Sequence, residues 1–242
     1  MKLICRYGEH LKKYKRMLKR KIAISIEGLI GSGKSTLLNT IQESYKTEPD
    51  TLFVHEPVEG FKNCKLLNYE YNPLKEFYQD KPKSAVAFQF WVNKCYENQL
   101  TELCNISSVK TQFFMDRCMY SSIVFLRTLH RLKIFSDFSE SLLENEVLTT
   151  LKKFCGGEDK YGIDKLYYIN TPIDICIENI VKRDRSEEKN LQDLKRYLQV
   201  LDIEYKLFLY EFIKCKGIDK VRVYYHPDID VVKQDFLQFM NN

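Results

Sequence analysis

The chain has 242 residues, of which 44% are hydrophobic and 29% are charged, so its composition excludes a disordered polar chain. This length predicts one α/β domain with a large core. No apolar run approaches the roughly 20 residues of a membrane span, and no secretory signal is expected because the N-terminus lacks an apolar region.

The positive charge is concentrated at the start of the chain. The net charge is +5, and residues 1–21 alone carry nine Lys/Arg against one Glu, which leaves the remainder slightly acidic. We interpret residues 1–21 as a basic extension. A solvated basic helix is the plainest interpretation, and a nuclear or mitochondrial address or a nucleic-acid contact are the alternatives. The acidic main body does not favour nucleic acid as a partner.

The cysteines indicate a reducing environment. All eight are spaced without a C-x-x-C pair and without zinc-type spacing to the four histidines. In a chain of this size without a signal, we expect reduced thiols and a cytoplasmic or other reducing compartment.

The first predicted element is a strand, a glycine-rich loop and a helix. Residues 22–26 are an apolar run typical of a buried parallel strand. The next residues fit G-x-x-x-x-G-K-[S/T] and open a helix, as Gly28, Leu29, Ile30, Gly31, Ser32, Gly33, Lys34, Ser35 and Thr36. Such a loop wraps its backbone N–H groups around phosphates, and the helix N-terminus favours the anion. We predict that Lys34 reaches the β- and γ-phosphates and that the Ser35 hydroxyl binds Mg²⁺.

Four further strand-like runs alternate with amphipathic stretches. The strands are predicted over 51–55, 112–115, 165–169 and 220–225, and long helices over 84–107, 121–131 and 191–214. This alternation predicts a five-stranded parallel sheet covered on both faces, within one domain over residues 22–242. In such a sheet, active-site residues lie beyond the carboxyl ends of the strands.

Charged residues follow two of these strands. Glu56 comes directly after the second strand, where a carboxylate can accept a proton from a substrate hydroxyl; a solvated loop glutamate is the alternative. Asp116 and Arg117 end the third strand. There Asp116 is placed to hold Mg²⁺ through water, and Arg117 to contact a phosphoryl or substrate oxygen. A salt bridge at the strand end is the alternative for this pair.

A dense run of both charge signs follows the fourth strand. It spans residues 182–188 and includes Arg183, Arg185 and Glu188. One interpretation is a solvated helix end. Beside a phosphate loop, the other is a mobile lid that closes arginines over the transferred phosphoryl group.

Together these motifs resemble the deoxyribonucleoside kinase family, which holds the deoxycytidine, deoxyguanosine and mitochondrial thymidine kinases and the insect multisubstrate enzyme. The resemblance covers residues 22–210, and its ordered landmarks are the loop 28–36, E-P-V-E at 56–59, Phe88-Gln89, Asp116-Arg117 and R-D-R-S-E-E at 183–188. It implies a P-loop kinase of the α/β class with an arginine-bearing lid. It also implies ATP and Mg²⁺ as cofactors, a deoxynucleoside substrate and a homodimer.

The resemblance implies chemical roles at the matching positions. Glu56 matches the base that deprotonates the nucleoside 5′-hydroxyl, and Arg117 matches the arginine that contacts the 5′-oxygen and that base. Arg183 and Arg185 match the lid arginines on the phosphates.

The resemblance also implies residues that hold the nucleoside. Gln89 matches the glutamine whose amide pairs with the base edge, where it offers a donor and an acceptor side by side. Tyr71 and Glu188 match the pair that holds the 3′-hydroxyl, which would leave little room for a ribose 2′-hydroxyl.

Several positions depart from the usual pattern of the family. The family usually has E-R-S where this chain has Asp116-Arg117-Cys118, so any Mg²⁺ contact becomes more water-mediated. Phe61 stands where a tryptophan is common. Leu126 stands where a phenylalanine often stacks on the base, which leaves Phe88 and others to stack.

Other departures bear on the choice of base. Tyr96 and Ser122 replace an arginine and an aspartate that read the base in the deoxycytidine and deoxyguanosine kinases. Without that pair the pocket resembles the thymidine-accepting branch, and Val92 is compatible with a 5-methyl group.

We therefore predict ATP-dependent phosphorylation of the 5′-hydroxyl of a deoxyribonucleoside in nucleotide salvage, with thymidine or another pyrimidine favoured. The nearest alternative is a thymidylate-type nucleoside monophosphate kinase, which Glu56 disfavours because a carboxylate repels the acceptor phosphate. A GTP-binding switch would need an N-K-x-D motif, which the sequence lacks. A catalytically inactive nucleotide-binding or nucleic-acid-binding protein is the remaining alternative, and intact Lys34, Glu56 and Arg117 count against it.

Overall fold

The computed structural model describes residues 22–45, 50–66, 69–105, 112–155, 160–184, 191–225 and 228–241. The basic extension over residues 1–21 and two predicted site residues, Arg185 and Glu188, lie outside the described residues.

Five parallel strands form the central sheet, and two short strands form a separate hairpin. The strands are β1 (Ile22–Gly28), β2 (Thr51–Val54), β3 (Cys64–Leu66), β4 (Tyr69–Tyr71), β5 (Gln112–Asp116), β6 (Lys165–Ile169) and β7 (Val221–Tyr224). The central sheet has the order β2-β5-β1-β6-β7, and every neighbouring pair in it is parallel. The prediction of five parallel strands is therefore confirmed, and β3 pairs with β4 in an antiparallel hairpin that the sequence did not indicate.

Helices cover both faces of the sheet. They are α1 (Lys34–Ser44), α2 (Val58–Lys62), α3 (Pro73–Gln79), α4 (Lys81–Asn105), α5 (Ser121–Arg131), α6 (Asp137–Cys155), α7 (Ile173–Arg183), α8 (Leu191–Lys216) and α9 (Ile229–Asn241). A 3₁₀ turn, Ile218–Lys220, precedes β7. A search of the described helices finds none that is both long and apolar enough to cross a membrane.

The sheet separates two hydrophobic cores, and successive side chains of each strand alternate between them. Ile24 and Ile26 of β1 belong to the smaller core, which α1 and α9 cover. The larger core lies on the opposite face and holds residues of α4, α5, α6 and α8. Ser25 and Glu27, which alternate with those isoleucines, therefore face the larger core although both are polar, and both are fully buried.

Local sequence determines where α3, the helix that precedes α4, begins. The Asn72 side chain accepts a hydrogen bond from Lys75 N at 2.9 Å, and Pro73 occupies the first turn of α3. An asparagine N-cap followed by proline is a favourable helix start, because proline lacks the N–H that has no partner there. The helix then packs against α4 through Phe77, whose ring stacks on that of Phe88 at 4.6 Å.

Candidate active site

The glycine-rich loop joins β1 to α1 at the carboxyl edge of the sheet. Gly33, which precedes α1, has φ +95°, and Gly31 has φ +80°, a left-handed region that favours glycine. A Cβ on Gly31 would also collide with the Cys176 carbonyl of α7. These two positions therefore need glycine, and the loop takes the strand–loop–helix form that the motif predicts.

Lys34 turns back onto its own loop. Its ammonium is buried and donates to the Leu29 carbonyl at 2.7 Å and to Ser32 Oγ at 3.4 Å. Burial, and next the neighbouring Arg117 charge, lower the pKa of Lys34 to about 8. The ammonium is therefore held inside the concave side of the loop, where an anionic ligand would restore its usual affinity for a proton.

Ser35 and Asp116 meet across the end of the sheet. The Ser35 hydroxyl donates to Asp116 Oδ2, and Asp116 Oδ1 is buried without a hydrogen-bond partner. The described residues contain no cluster of three or more His, Cys, Asp or Glu side chains that would hold a metal by itself. One hydroxyl and one carboxylate with a spare oxygen fit Mg²⁺, which takes few protein ligands and completes its shell with water and substrate phosphates.

Glu56 and Arg117 form an ion pair beside the loop. Glu56 Oε1 lies 3.2 Å from Arg117 Nε, without meeting the geometry of a hydrogen bond. The Glu56 side chain is 24% exposed and the Arg117 side chain only 2%. Burial raises the pKa of Glu56, and the Arg117 charge opposes that rise.

The backbone of Arg117 aims its side chain into the site. The residue has φ +66°, and its N–H donates to the Ile26 carbonyl at 3.1 Å. The guanidinium carbon lies 4.9 Å from the ring centroid of Phe125, within the range of a cation–π contact. Burial opposes the charge on Arg117, but Tyr205, Glu56 and Glu27 outweigh it and raise the pKa of the guanidinium.

A cavity of about 790 Å³ opens in front of these groups. Sixteen predicted site residues line it: Ile30, Gly31, Ser32, Gly33, Lys34, Ser35, Thr36, Glu56, Phe61, Phe88, Gln89, Val92, Tyr96, Arg117, Ser122 and Arg183. This volume lies within the range that small-molecule and cofactor sites occupy. One cavity thus brings together the phosphate loop, the Glu56–Arg117 pair and the predicted base-reading residues.

Aromatic rings build one end of the cavity. Phe61 contacts Phe88 and Tyr96, with ring centroids 6.4 Å and 6.0 Å apart. Among these rings, Gln89 Oε1 and Ser122 Oγ are buried without hydrogen-bond partners. Buried polar atoms of this kind nearly always have partners, so two such atoms in a cavity wall indicate a ligand that supplies them.

Some predicted residues lie outside the cavity walls. Gly28, Leu29 and Asp116 do not line the cavity, although Asp116 accepts a hydrogen bond from the lining residue Ser35. Tyr71 lies on β4 and is 42% exposed. Leu126 is fully buried in the larger core, whereas the preceding residue, Phe125, lines the cavity. The rotation of α5 therefore turns Phe125, and not Leu126, toward the cavity.

Helix α7 is tied to the phosphate loop. Asn179 Nδ2 donates to the Gly31 carbonyl at 2.9 Å, and Thr171 Oγ1 donates to the Ser32 carbonyl at 3.0 Å. Lys182 and Arg183, at the end of this helix, line the cavity. The predicted lid therefore begins on a helix whose position depends on the loop.

The site also contains residues that the sequence analysis missed. Glu27, Tyr197 and Asn179 all touch the cavity or a residue in it. Glu27 is the penultimate residue of β1 and follows directly after the apolar run over 22–26 that predicted this strand. The alternation of Ser25 and Glu27 with isoleucines was the available signal, because two polar residues on one face of a buried strand need partners.

Comparison with known proteins identifies the class of this fold and site. The sequence profile of the deoxynucleoside kinase family matches residues 24–242. The chain therefore belongs to the deoxynucleoside kinase family, and the predicted family, P-loop kinase fold and enzyme class are confirmed.

The similar proteins are named as kinases of deoxynucleosides with different bases. The chain is 29% identical to a probable deoxycytidine kinase of fowlpox virus over 194 residues, which cover 78% of this chain and 72% of the relative. It is 27% identical to mitochondrial thymidine kinase 2 of Macaca fascicularis over 176 residues, which cover 72% of this chain and 60% of the relative. A solved structure of deoxyadenosine kinase from M. mycoides has the same fold, with a TM-score of 0.70 at 19% identity over 91% of this chain and 99% of that one.

Proposed function

We propose that this kinase transfers the γ-phosphoryl group of ATP to the 5′-hydroxyl of a deoxyribonucleoside, with thymidine and other pyrimidine deoxynucleosides favoured. The observation that carries the proposal is the Glu56–Arg117 pair, because it places a carboxylate and a guanidinium in the same cavity as the phosphate loop. A hydroxyl acceptor needs such a carboxylate, whereas an acceptor phosphate would be repelled by it.

Glu56 is the proposed general base. Its pKa is raised above the usual value by burial, which makes the carboxylate a better proton acceptor than an exposed one. Arg117 holds this carboxylate and presents its remaining N–H groups to the 5′-oxygen and the transferred phosphoryl group. The transition state of phosphoryl transfer is loose, so positioning and charge neutralisation supply most of the rate enhancement.

The phosphate loop and the lid are the proposed ATP site. Backbone N–H groups of the loop, with Lys34, would hold the phosphates, and Arg183 and Arg185 would close over them. Ser35 and Asp116 would hold Mg²⁺, which neutralises phosphate charge when bound. Closure of the lid would exclude water and so limit hydrolysis of ATP.

An uncharged base pocket supports the pyrimidine preference. Gln89 offers an amide, while Tyr96 and Ser122 add hydroxyls without a charged pair. Val92 lines the same end, where a 5-methyl group would find apolar surface. Tyr71 and Glu188 remain the proposed holders of the 3′-hydroxyl. Phe125, which lines the cavity, joins Phe88 as a proposed stacking residue.

We also propose a homodimer in a reducing compartment. Phe90 of α4 and Phe138 of α6 are 47% and 75% exposed, and such exposed apolar rings support association. The seven cysteines within the described ranges are free thiols. Nucleotide salvage is the proposed task.

Replacement of the proposed base is the direct test of mechanism. Glu56→Gln is expected to keep nucleoside affinity and to lower kcat by about 10²- to 10⁴-fold, the usual contribution of a general base. Glu59→Gln makes the same change three residues later on a side chain that is 82% exposed and is expected to leave kcat unchanged. Steady-state kinetics with thymidine and ATP–Mg²⁺ check both. A Glu56→Gln enzyme within threefold of the parent contradicts the assignment.

A further inference from the structure

Glu27 is a fully buried carboxylate on β1, and five other residues contact it. Its Oε1 accepts hydrogen bonds from Ser25 Oγ at 2.6 Å, Ser121 Oγ at 2.6 Å and Cys118 N at 3.0 Å. Its Oε2 accepts from Tyr205 OH at 3.1 Å and lies 3.8 Å from Arg117 Nη1. A carboxylate that is removed from water is stable only with such partners, so these contacts define one orientation for it.

Tyr205 bridges this carboxylate and Arg117. Its hydroxyl donates to Glu27 Oε2 and accepts from Arg117 Nη1. A guanidinium has only donors and a carboxylate only acceptors, whereas a phenol hydroxyl has both functions. The two hydrogen bonds therefore run in one direction: Arg117 donates to Tyr205, and Tyr205 donates to Glu27.

Tyr205 belongs to the helix that follows the predicted lid. It is fully buried on α8, which begins at Leu191. The same helix contributes Tyr197 to the cavity wall, about two turns earlier. One rigid element thus contacts both the cavity and the guanidinium that faces Glu56.

We propose that Glu27 and Tyr205 are positioning residues that hold Arg117 in register with Glu56 and transmit the position of α8 to the reacting groups. The Arg117 guanidinium lies between two carboxylates. Glu27 holds it from the buried interior, and Glu56 contacts it at the cavity wall. Neither Glu27 nor Tyr205 lines the cavity, so each acts through Arg117. This inference rests on the proposed function, which gives Arg117 and Glu56 their catalytic roles.

Removal of the bridging hydroxyl tests the inference. Tyr205→Phe keeps the ring that packs 5.5 Å from that of Tyr168 and removes only the oxygen between Arg117 and Glu27. We expect kcat to fall by about tenfold or more, because small displacements of catalytic groups are costly, while KM for thymidine stays within about twofold. The acid limb of the kcat profile should move to higher pH, since a displaced Arg117 no longer lowers the pKa of Glu56.

Tyr168→Phe is the matched control. Tyr168 is equally buried in the same cluster, and its hydroxyl has no hydrogen-bond partner among the described residues. This variant is expected to keep kcat and the pH profile of the parent. Thermal unfolding of both variants, followed by circular dichroism, measures any general loss of stability.

A double-mutant comparison separates positioning from a structural effect. In an Arg117→Lys background, Tyr205→Phe is expected to change kcat by less than twofold, because the hydroxyl acts only through the guanidinium. A tenfold loss that persists in that background overturns the inference, as does a Tyr205→Phe enzyme with parental kcat. If Glu56→Gln and Arg117→Lys themselves retain full activity, the proposed function fails instead, so the two failures are distinguishable.

A crystal structure of Tyr205→Phe provides an independent readout. We expect the Arg117 guanidinium to leave its place beside Glu27 and Glu56, with β1 and α8 unchanged. An unmoved guanidinium in the variant contradicts the proposed role.

Discussion

Lys34 combines a buried ammonium with a hydrogen bond to its own loop. If a nucleotide binds as proposed, Lys34 would exchange the Leu29 carbonyl for phosphate oxygens. Its pKa of about 8 means that the free enzyme holds the charge at neutral pH and loses it at moderately alkaline pH. Loss of the charge removes the attraction to phosphate.

The affinity for ATP should therefore depend on pH through Lys34. Below pH about 8 the ammonium is charged, so the affinity for ATP should not change with pH. Above pH about 8 the Kd for ATP should rise by up to tenfold per pH unit, until the titration of other groups contributes. Isothermal titration of ATP–Mg²⁺ between pH about 6.5 and 9.5 measures this. Lys34→Met should bind weakly at every pH and show no such transition. The same transition in Lys34→Met would contradict the assignment.

Two residue positions show where sequence reasoning was limited. The resemblance placed Leu126 in the base pocket and left stacking to Phe88 and others, whereas in the structure Leu126 packs in the larger core and the preceding residue, Phe125, lines the cavity. Glu27 was overlooked because its partners, Ser121 and Tyr205, come from elements almost 100 and 180 residues away, at separations of 94 and 178. Such contacts exist only after the sheet has formed.

At the scale of elements, α7 lies between the phosphate loop and the segment predicted to form the lid. Asn179 and Thr171 donate to successive carbonyl positions of the loop, and the side of α7 approaches Gly31 closely enough to exclude a Cβ. A displacement of α7 is therefore expected to move the loop that would hold the phosphates.

Breaking this tether should loosen the loop. Asn179→Ala removes the donor to the Gly31 carbonyl and is expected to cost about 1 kcal/mol of unfolding free energy and to weaken ATP binding. Lys195→Met is the control: it breaks an exposed ion pair between α8 and Asp174 of α7, worth less than about 1 kcal/mol. Urea denaturation and hydrogen exchange of the loop amides measure both effects. Loop exchange that stays unchanged in Asn179→Ala would contradict the tether.

The elements also differ in how well sequence predicts them. Strands β1, β5 and β6 are rich in apolar residues because both faces of a central strand are buried, and this composition identifies them. Strands β3 and β4 have three residues each, too few for a periodic pattern. The resulting hairpin carries Tyr71 on β4, which explains why a position matched by resemblance alone lies away from the cavity walls.

At the scale of the whole molecule, the fold brings three chain segments together at one edge of the sheet. Strands β1, β2 and β5 end at Gly28, Val54 and Asp116, next to the phosphate loop, Glu56 and Arg117. Parallel pairing makes these ends neighbours, so the sequence positions of the motifs were enough to predict that they meet. The size and chemistry of the cavity depend on how α2 to α5 pack, and this packing could not be predicted from the sequence.

The proposed reaction of this enzyme is phosphorylation of the 5′-hydroxyl of a pyrimidine deoxynucleoside bound in the cavity. The most direct test is a phosphoryl-transfer assay with ATP–Mg²⁺ that offers thymidine, deoxycytidine, deoxyadenosine, deoxyguanosine and thymidine monophosphate side by side. We predict turnover of the pyrimidine nucleosides well above the purine nucleosides, with thymidine the best and the monophosphate inert. Turnover of the monophosphate alone, or of none of the five while ATP still binds, would contradict the account.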